Sequence, residues 1–171
     1  LFGPNAQTDT LTAIGNGSYI FVVKYNSAGV WQWSKGYGNS AGGDVGRALA
    51  VDSSGNIFLG ANIYAGSINF DPIVSDSTTL SDCVVVKINS AGTGLWARRI
   101  TGSGSIKFMN SVATDSSGNV YAGGYFQGTA NFGTGDVTGQ SGSGNGFIAK
   151  YSGIDGSPTG GSSWPKTFTL E

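Results

Sequence analysis

The phrase DSSGN occurs twice in the chain and begins each time with a carboxylate, Asp52 in the first copy and Asp115 in the second. Carboxylate and carbonyl oxygens could in principle bind calcium there, but an EF-hand-like loop also needs alternating oxygen ligands over about twelve residues and a closing Glu. Neither copy has them. The favoured interpretation is a tight turn, in which the Asp accepts a hydrogen bond from the backbone two residues on and Gly55 or Gly118 supplies a positive φ. Calcium at the two aspartates is the less favoured alternative.

Few kinds of catalytic site can be formed from the residues of this chain. It contains no His and a single cysteine, Cys83, so Ser/His/Asp and Cys/His catalytic sets and cysteine-based zinc sites are excluded within it. The lone cysteine also excludes an intrachain disulfide. Asp71, Asp76 and Asp82 belong to one loop, in which a solvated surface is favoured over paired-carboxylate catalysis. We therefore expect no enzyme activity, no metal and no cofactor.

The composition predicts the fold class and excludes some kinds of partner. Nine basic and ten acidic residues give a net charge of −1, which predicts no nucleic-acid partner. The apolar runs are far shorter than the roughly 20 residues that span a bilayer, so no membrane insertion is expected. Thirty glycines and no apolar stripe at helical spacing predict an all-β chain of short strands and tight turns. Leu1 is not an initiator Met and no signal-peptide pattern follows it, so the sequence is expected to be an excerpt or a processed piece.

The repeated phrase belongs to a longer repeat with a period of 63 residues, the distance from Asp52 to Asp115. The segment "FVVKYNSAG" at 21–29 likewise matches "VVVKINSAG" at 84–92. The other recurring residues are Lys24, Lys87 and Lys150, Trp33 and Trp96, and, beyond an inserted loop at 153–163, Trp164. A repeat of this length is a supersecondary unit that buries its apolar faces only against neighbouring copies. Residues that recur are therefore assigned to the structural framework.

One period contains four strand-like segments separated by turn signals, at 46–52, 56–65, 83–89 and 94–101. Four antiparallel strands in about 60 residues form one blade of a β-propeller. The chain then divides into a half blade at 1–38, a full blade at 39–101 and a full blade at 102–171. The first strand of each blade is rich in small residues and is expected to lie innermost. The third is apolar on both faces and is expected to be covered by a blade on each side.

Within the second hairpin of each unit, Lys24 is predicted to lie opposite Trp33 and Lys87 opposite Trp96, because both pairs are nine residues apart. A cross-strand cation–π contact between lysine and tryptophan would contribute about 0.5–2 kcal/mol and would explain their recurrence without a ligand. A basic binding ring formed by the repeated lysines is the less favoured interpretation.

The segments "AVDSSGNIFLGA" and "FVVKYNSAGVWQWSK" resemble the beta-propeller repeat of the bacterial SBBP type, and the first hairpin is similar to NHL repeats. The resemblance covers nearly the whole chain. It implies a propeller without implying an activity, and it implies an extracellular or cell-surface location, since such repeats occur mostly in large surface or secreted proteins. Propellers close with roughly 4–8 blades, so the sequence is expected to be part of a larger propeller. The expected partners are the remaining blades of the same protein or neighbouring chains, which would cover the apolar end faces.

Residues that do not recur in the repeat are the candidates for a functional role, because the recurring ones are assigned to the framework. The candidates for ligand binding are Trp31, Arg99, Asp71 and Asp76. Trp31, two residues before Trp33, is expected on the same face, where extra packing is favoured over stacking on a sugar or contact with a protein. Asn16 begins a single glycosylation sequon.

The preferred function is a non-catalytic β-propeller, on the cell surface or outside the cell, that acts as an adhesion, scaffold or protein-interaction module. The first alternative is a carbohydrate-binding or carbohydrate-active propeller that uses aromatic platforms such as Trp31 together with loop aspartates. The second alternative is a subunit of an extracellular fibre or multimer, whose neighbours cover the open blade faces.

Overall fold

The computed structural model describes residues 11, 18–38, 43–64, 66–70, 72, 82–104, 106–140 and 144–169. Asn16, Asp71 and Asp76 lie outside this part of the chain. The strands are β1 (Ile20–Tyr25), β2 (Trp31–Tyr37), β3 (Val45–Val51), β4 (Ile57–Ile63), β5 (Asp82–Ile88), β6 (Gly94–Ile100), β7 (Ile106–Thr114), β8 (Asn119–Gln127), β9 (Thr129–Asn131), β10 (Asp136–Thr138), β11 (Asn145–Ser152) and β12 (Lys166–Thr169), with a 3-10 turn at Gly161–Ser163. Within the described ranges, no helix combines the length and the apolar character needed to cross a bilayer.

Two four-stranded antiparallel sheets confirm the all-β blade architecture. The strand order is β3-β4-β5-β6 in one sheet, named the middle blade, and β7-β8-β11-β12 in the other, named the last blade. β1 and β2 form a separate hairpin, named the leading hairpin, and the short hairpin β9–β10 is inserted between β8 and β11. Each predicted strand of the middle blade is present within two residues of its predicted bounds. Its first strand, β3, lies beside β7 of the last blade.

The middle blade packs one face against the leading hairpin. Ile57, Leu59 and Ile63 of β4 belong to one apolar cluster with Ile20 and Val22 of β1. The odd-numbered side chains of β4 share this face because successive residues of a strand point to opposite sides. This contact is named the first junction.

The opposite face of the middle blade packs against the last blade, and this contact is named the second junction. Phe58 of β4 and Val85 of β5 form an apolar cluster with Val112 and Val120 of the last blade. Every side chain of β5 is buried except that of Lys87, which is half-buried. The third strand of the middle blade is thus covered on both sides, as its apolar sequence predicts.

An extra residue in β2 separates Trp31 from Trp33. Lys24 of β1 lies opposite Trp33, whereas Tyr25 lies opposite Trp31, so the register shifts between the two pairs. Because directly opposed residues share a face of the sheet and neighbours along a strand alternate, Trp31 and Trp33 point to opposite faces. The prediction of a shared face is therefore wrong, since the bulge interrupts the alternation it assumed. The middle blade carries the same bulge beside Lys87.

The segments that follow the second strand of each blade contribute to the core. Ile68 and Phe70 are fully buried in the first junction, and Ala130 and Phe132 belong to the second. In the last blade this segment contains the β9–β10 hairpin, and β9 forms an isolated bridge with the residue that follows β6. These apolar residues are therefore structural, although the sequence assigned them no place in the core.

Candidate interaction surfaces

Both copies of the repeated phrase form the same turn. Asp52 Oδ1 accepts hydrogen bonds from the backbone amides two and four residues on, each at 2.9 Å, and Oδ2 accepts one from Asn56 Nδ2 at 2.8 Å. Asp115 accepts the three equivalent hydrogen bonds in the second copy. Gly55 and Gly118 have φ of 76° and 78°. The phrase therefore closes the hairpin between the first and second strands of each blade.

Hydrogen bonds keep both turn carboxylates charged. The Asn119 side chain and amide lower the pKa of Asp115, and the Tyr121 hydroxyl donates a further bond at 3.0 Å. For Asp52, desolvation opposes the charged form, but bonds from Asn56 and the neighbouring backbone outweigh it and lower the pKa. N–H donors thus surround the oxygens that a cation would need, which favours the turn over calcium. Within the described residues, no three His, Cys, Asp or Glu side chains lie together as a metal site.

Lys24 and Trp33 join the leading hairpin to the turn between β5 and β6. Lys24 Nζ donates a hydrogen bond to the Ser90 carbonyl oxygen at 2.7 Å, and Trp33 Nε1 donates to the same oxygen at 3.0 Å. The two donors are opposite each other on β1 and β2, so one carbonyl of the next unit receives both. This arrangement of lysine, tryptophan and carbonyl is named the clamp.

The clamp recurs one period later. Lys87 Nζ and Trp96 Nε1 donate to the Gly153 carbonyl oxygen, in the turn after β11, at 2.6 and 3.3 Å. Ser90 and Gly153 are themselves 63 residues apart, so donors and acceptor repeat together. A charged donor strengthens such a hydrogen bond. Contact between successive units therefore explains why this lysine and this tryptophan recur.

The aromatic ring that contacts Lys87 is not the predicted tryptophan, and Lys150 contacts the equivalent ring. Lys87 Nζ lies 5.4 Å from the ring centroid of Phe58, its neighbour on β4. Lys150 Nζ lies 5.4 Å from the ring centroid of Tyr121, its neighbour on β8. The prediction of stacking on tryptophan considered only the outer hairpin, whereas the lysine strand also pairs with the second strand of the blade. Tryptophan instead acts beside lysine as a second donor.

Arg99, expected from the sequence to bind a ligand, belongs to a set of charged side chains that joins the middle blade to the last blade. It forms an ion pair with Asp82, and Lys107 Nζ lies 3.2 Å from the other carboxylate oxygen of Asp82. Lys107 also donates to the carbonyl oxygens of Gly102 and Gly104 at 3.2 and 2.6 Å. All three charged side chains are nearly buried. One carboxylate therefore faces two cations, and this set is named the ion cluster.

Sequence reasoning gave Lys107 no role and placed Asp82 in a solvated loop. It also overlooked Asn62, whose Oδ1 accepts a hydrogen bond from the Met109 amide at 2.8 Å across the second junction. A signal was present: one period before Lys107 the residue is Asp44. A charge that reverses sign at an equivalent position of a repeat indicates a contact specific to one pair of blades.

The outward face of the leading hairpin exposes apolar side chains. Phe21 and Tyr25 are 60% and 48% exposed, whereas Val84 and Ile88, which lie one period later, are fully buried. Trp31, opposite Tyr25, shares this face and is half-buried. The surface formed by Phe21, Tyr25 and Trp31 is named the leading face.

The outward face of the last blade shows the same contrast. Ile148 and Phe168 are 39% and 54% exposed, whereas Val85 and Ile100, at the equivalent places in the middle blade, are fully buried in the second junction. Tyr125 is also exposed. The surface formed by Tyr125, Ile148 and Phe168 is named the trailing face. It has the apolar composition of a buried junction, but none of the described strands packs on it.

Residues 95–132 match the family model described as Beta-propeller repeat, SBBP. The matched span begins in β6, the last strand of the middle blade, and ends just after β9 in the last blade. An uncharacterized WD repeat-containing protein of Acanthamoeba polyphaga mimivirus is 29% identical over 150 residues, which cover 77% of this chain and 11% of that protein. The chain thus spans about a tenth of that relative's length. Together with the blades, the match identifies residues 95–132 as a beta-propeller repeat of the SBBP type.

Proposed function

We propose that the chain is a non-catalytic protein-interaction module of a β-propeller that acts as a scaffold or adhesion segment. The observation that carries the proposal is the trailing face, where Ile148 and Phe168 are exposed at positions that another blade covers in the middle blade. Contiguous apolar patches on a protein surface mark sites that bind another protein. The description of the mimiviral relative as WD repeat-containing supports the same class of fold.

The non-catalytic part of the proposal is supported by the state of the carboxylates. Asp52 and Asp115 are held in turns, and Asp82 is in the ion cluster. The amide and hydroxyl of Ser157 lower the pKa of Asp155 to about 2. With no histidine in the sequence, and with the pKa values of Asp52, Asp115 and Asp155 lowered, these three carboxylates are poorly suited to exchange protons near neutral pH.

The proposed location is the cell surface or the extracellular space. Its support is the resemblance of the repeat to those found mostly in surface and secreted proteins. Fractionation of the source cells, followed with an antibody to this chain, is expected to find it in the surface or secreted fraction. Recovery from the cytoplasm alone would refute this location.

Site-specific photo-crosslinking tests the interaction. A photoreactive residue at Ile148, on the trailing face, is expected to form crosslinks to protein in intact source cells. The same residue at Ile154, which is 89% exposed in the turn after β11, is the matched control and is expected to give few. Equal or no crosslinking at the two positions would contradict the proposal.

A carbohydrate-binding role is the second candidate, favoured by the aromatic composition of the leading face. Trp31 and Tyr25 lie opposite each other, and Phe21 lies on the same side of the hairpin. Aromatic side chains on one face of a hairpin can offer an apolar platform for a sugar. Glycan-array binding that Trp31→Ala abolishes and Leu95→Ala, at an exposed site on β6, leaves intact would support it. An array without binding would exclude this candidate for the glycans tested.

A further inference from the structure

The trailing face contains an incomplete row of aromatic rings, named the aromatic row. Phe108, Tyr125, Gly146 and Phe168 lie directly opposite one another on β7, β8, β11 and β12, so they share this face of the last blade. The rings of Phe108 and Tyr125 are stacked, with their centroids 5.0 Å apart and their planes at 19°. Arg47 of β3 lies over the outer side of this pair, with its Cζ 6.0 Å from the Phe108 ring centroid. The third of the four places in the row is a glycine and carries no side chain.

The missing side chain leaves a slot between Tyr125 and Phe168. The spacing of the stacked pair is close to the usual distance between neighbouring strands, about 4.8 Å, so the flat faces of the Tyr125 ring are turned toward β7 and β11. Phe168 is two strands away from Tyr125, at about 10 Å. Apart from its neighbours in the chain, a Cβ on Gly146 would meet no atom closer than 3.7 Å. One flat ring in this slot would lie about 5 Å from the rings on both sides, a favourable distance for aromatic pairs.

Two lysines lie beside the slot. Lys166 is directly opposite Ile148, and Lys150 is two residues beyond Ile148 on β11, so both lysines are on the trailing face. Among the described residues neither lysine forms an ion pair with a carboxylate, and the Lys150 ammonium lies over the Tyr121 ring, 5.4 Å from its centroid. The positive charge beside the slot favours a ligand that carries carboxylates.

The residue that receives a neighbouring blade inside the chain is replaced on the trailing face. One period before Tyr125 the residue is Asn62, whose Oδ1 accepts a hydrogen bond from the Met109 amide of the last blade at 2.8 Å. The backbone of β7 therefore lies within reach of one short side chain from β4. Tyrosine is longer than asparagine, so on the trailing face its ring occupies the room that such a strand needs. A blade docked as in the second junction does not fit here, whereas a single inserted side chain does.

We propose that the trailing face binds an acidic peptide segment of a partner protein through one aromatic side chain, which enters the slot between Tyr125 and Phe168. The inserted ring completes the aromatic row, and carboxylates beside it in the peptide pair with Lys150 and Lys166. Aromatic anchors in pockets contribute much of the affinity at protein interfaces, and charges at the rim add specificity and speed of association. The inference rests on the proposed function, because it names the chemistry of the protein that covers the trailing face.

A synthetic peptide tests the chemistry of the ligand. The probe is the peptide GDEWEDG, blocked at both ends, and isothermal titration calorimetry measures its binding to the whole chain. We expect saturable binding that weakens as salt is added, because the charges are exposed. The control peptides are GDEAEDG, which lacks the ring, and GKRWRKG, which reverses the charge, and both are expected to bind at least about tenfold more weakly. Equal binding of the three peptides, or no binding of GDEWEDG up to about 1 mM, overturns the inference.

Substitutions at the floor of the slot test its position. Gly146 has an ordinary strand conformation, so other residues are compatible with its backbone. Gly146→Leu fills the slot and is expected to raise the dissociation constant of GDEWEDG at least about tenfold. Gly146→Ala is the matched control, which leaves most of the slot open, and is expected to raise it less than about threefold. Equal affinities of these two variants would contradict the assignment of the slot.

Two exposed side chains give further variants that are expected to melt like the parent. Phe168→Ala removes one wall of the slot and is expected to weaken binding of GDEWEDG about tenfold. Lys166→Met removes one charge and is expected to weaken it about threefold. Lys24→Met, on the leading hairpin, is the control and is expected to leave the dissociation constant unchanged. If Phe168→Ala binds the peptide as the parent does, the inference is wrong even where Gly146→Leu fails to fold.

The photoreactive residue at Ile148 separates this inference from the proposed function. If it crosslinks to a protein in cells while GDEWEDG does not bind, the interaction module stands and the inference fails. The inference also fails if the crosslinked segment is a further blade, or a stretch without an aromatic residue among acidic ones. If neither crosslinking nor peptide binding is found, both fail.

Discussion

The first and second junctions are formed by equivalent positions of one repeat, yet the side chains found at the two junctions differ in kind. In the first, Ile20 and Val22 pack on the middle blade within an apolar cluster, and the clamp lies at the surface. The second has a comparable apolar cluster, and in addition Asp82 and Arg99 of the middle blade meet Lys107 of the last blade in the ion cluster. Its clamp is partly buried. Apolar packing is therefore common to both pairs of units, and an ion pair between units, Asp82 with Lys107, is described only between the middle and last blades.

The equivalent positions explain why the ion cluster forms once in the described structure. One period before Lys107 the residue is Asp44, and one period after Asp82 it is Asn145. The three charges therefore meet only where the middle and last blades adjoin. A buried cation without its carboxylate costs several kcal/mol, so an exchange of neighbours would be penalised. The apolar clusters hold blades together, and the ion cluster restricts which blade fits.

The largest expected effect comes from Lys107→Met, which leaves Asp82 with one cation in a buried site. Removing one partner from a buried ion cluster typically costs about 3–5 kcal/mol, and chemical denaturation measures the loss. Lys166→Met, the same substitution at an exposed site on β12, is the control and is expected to change stability by less than about 0.5 kcal/mol. If both variants match the parent, the second junction does not depend on charge.

Glycine-to-alanine substitutions, which add one methyl group, test how tightly each of the two junctions is packed. A Cβ at Gly60 would lie 2.6 Å from Val112 Cγ2 and 2.8 Å from Met109 Cγ in the second junction. A Cβ at Gly46 would lie 3.2 Å from Ile20 Cγ2 in the first. Gly60→Ala is expected to lower the free energy of unfolding by about 1–3 kcal/mol through overpacking. Gly46→Ala is expected to lower it by less, and the reverse order would show that the first junction is the tighter one.

Removal of the lysine from each clamp is expected to change stability by a smaller amount. Lys87→Met removes the charged donor from a partly buried carbonyl that Trp96 still reaches, and we expect a loss of about 1 kcal/mol. Lys24→Met removes the equivalent donor at an exposed site, where solvent weakens the interaction, so we expect less than about 0.5 kcal/mol. Equal losses in urea denaturation would contradict the difference in burial.

The smallest expected effect is that of acid on the turn after β11. The pKa of Asp155 is about 2 in the folded chain, below the ordinary value of 3.8, because the Ser157 amide and hydroxyl bind the carboxylate. The stabilisation is therefore complete above pH about 4 and is lost as the pH falls toward 2. Asp155→Asn is expected to reduce the fall in melting temperature over that window, and an unchanged slope would contradict it.

The period of 63 residues was sufficient to predict the blades, because four strands per period and recurring turn residues are local properties. The Lys24–Trp33 and Lys87–Trp96 registers also follow from one hairpin. The side of the sheet on which Trp31 lies could not be predicted in this way. One unpaired residue in a strand moves every side chain beyond it to the opposite face.

The ion cluster could not be predicted from local pattern. Asp82 lies in a polar stretch, and lysine is almost never fully buried unless paired, so Lys107 was given no role. Its burial depends on where the last blade meets the middle one. The reversal from Asp44 to Lys107 between equivalent positions is the one trace of that contact in the sequence.

Cys83 makes the second junction observable without any mutation. Its thiol is fully buried in that junction on β5, and burial raises its pKa, so it reacts with a thiol reagent only when the blades separate. As the chain has a single cysteine, every labelling event reports this one opening. The rate of labelling at increasing reagent concentration would then give the frequency with which the two blades part under native conditions.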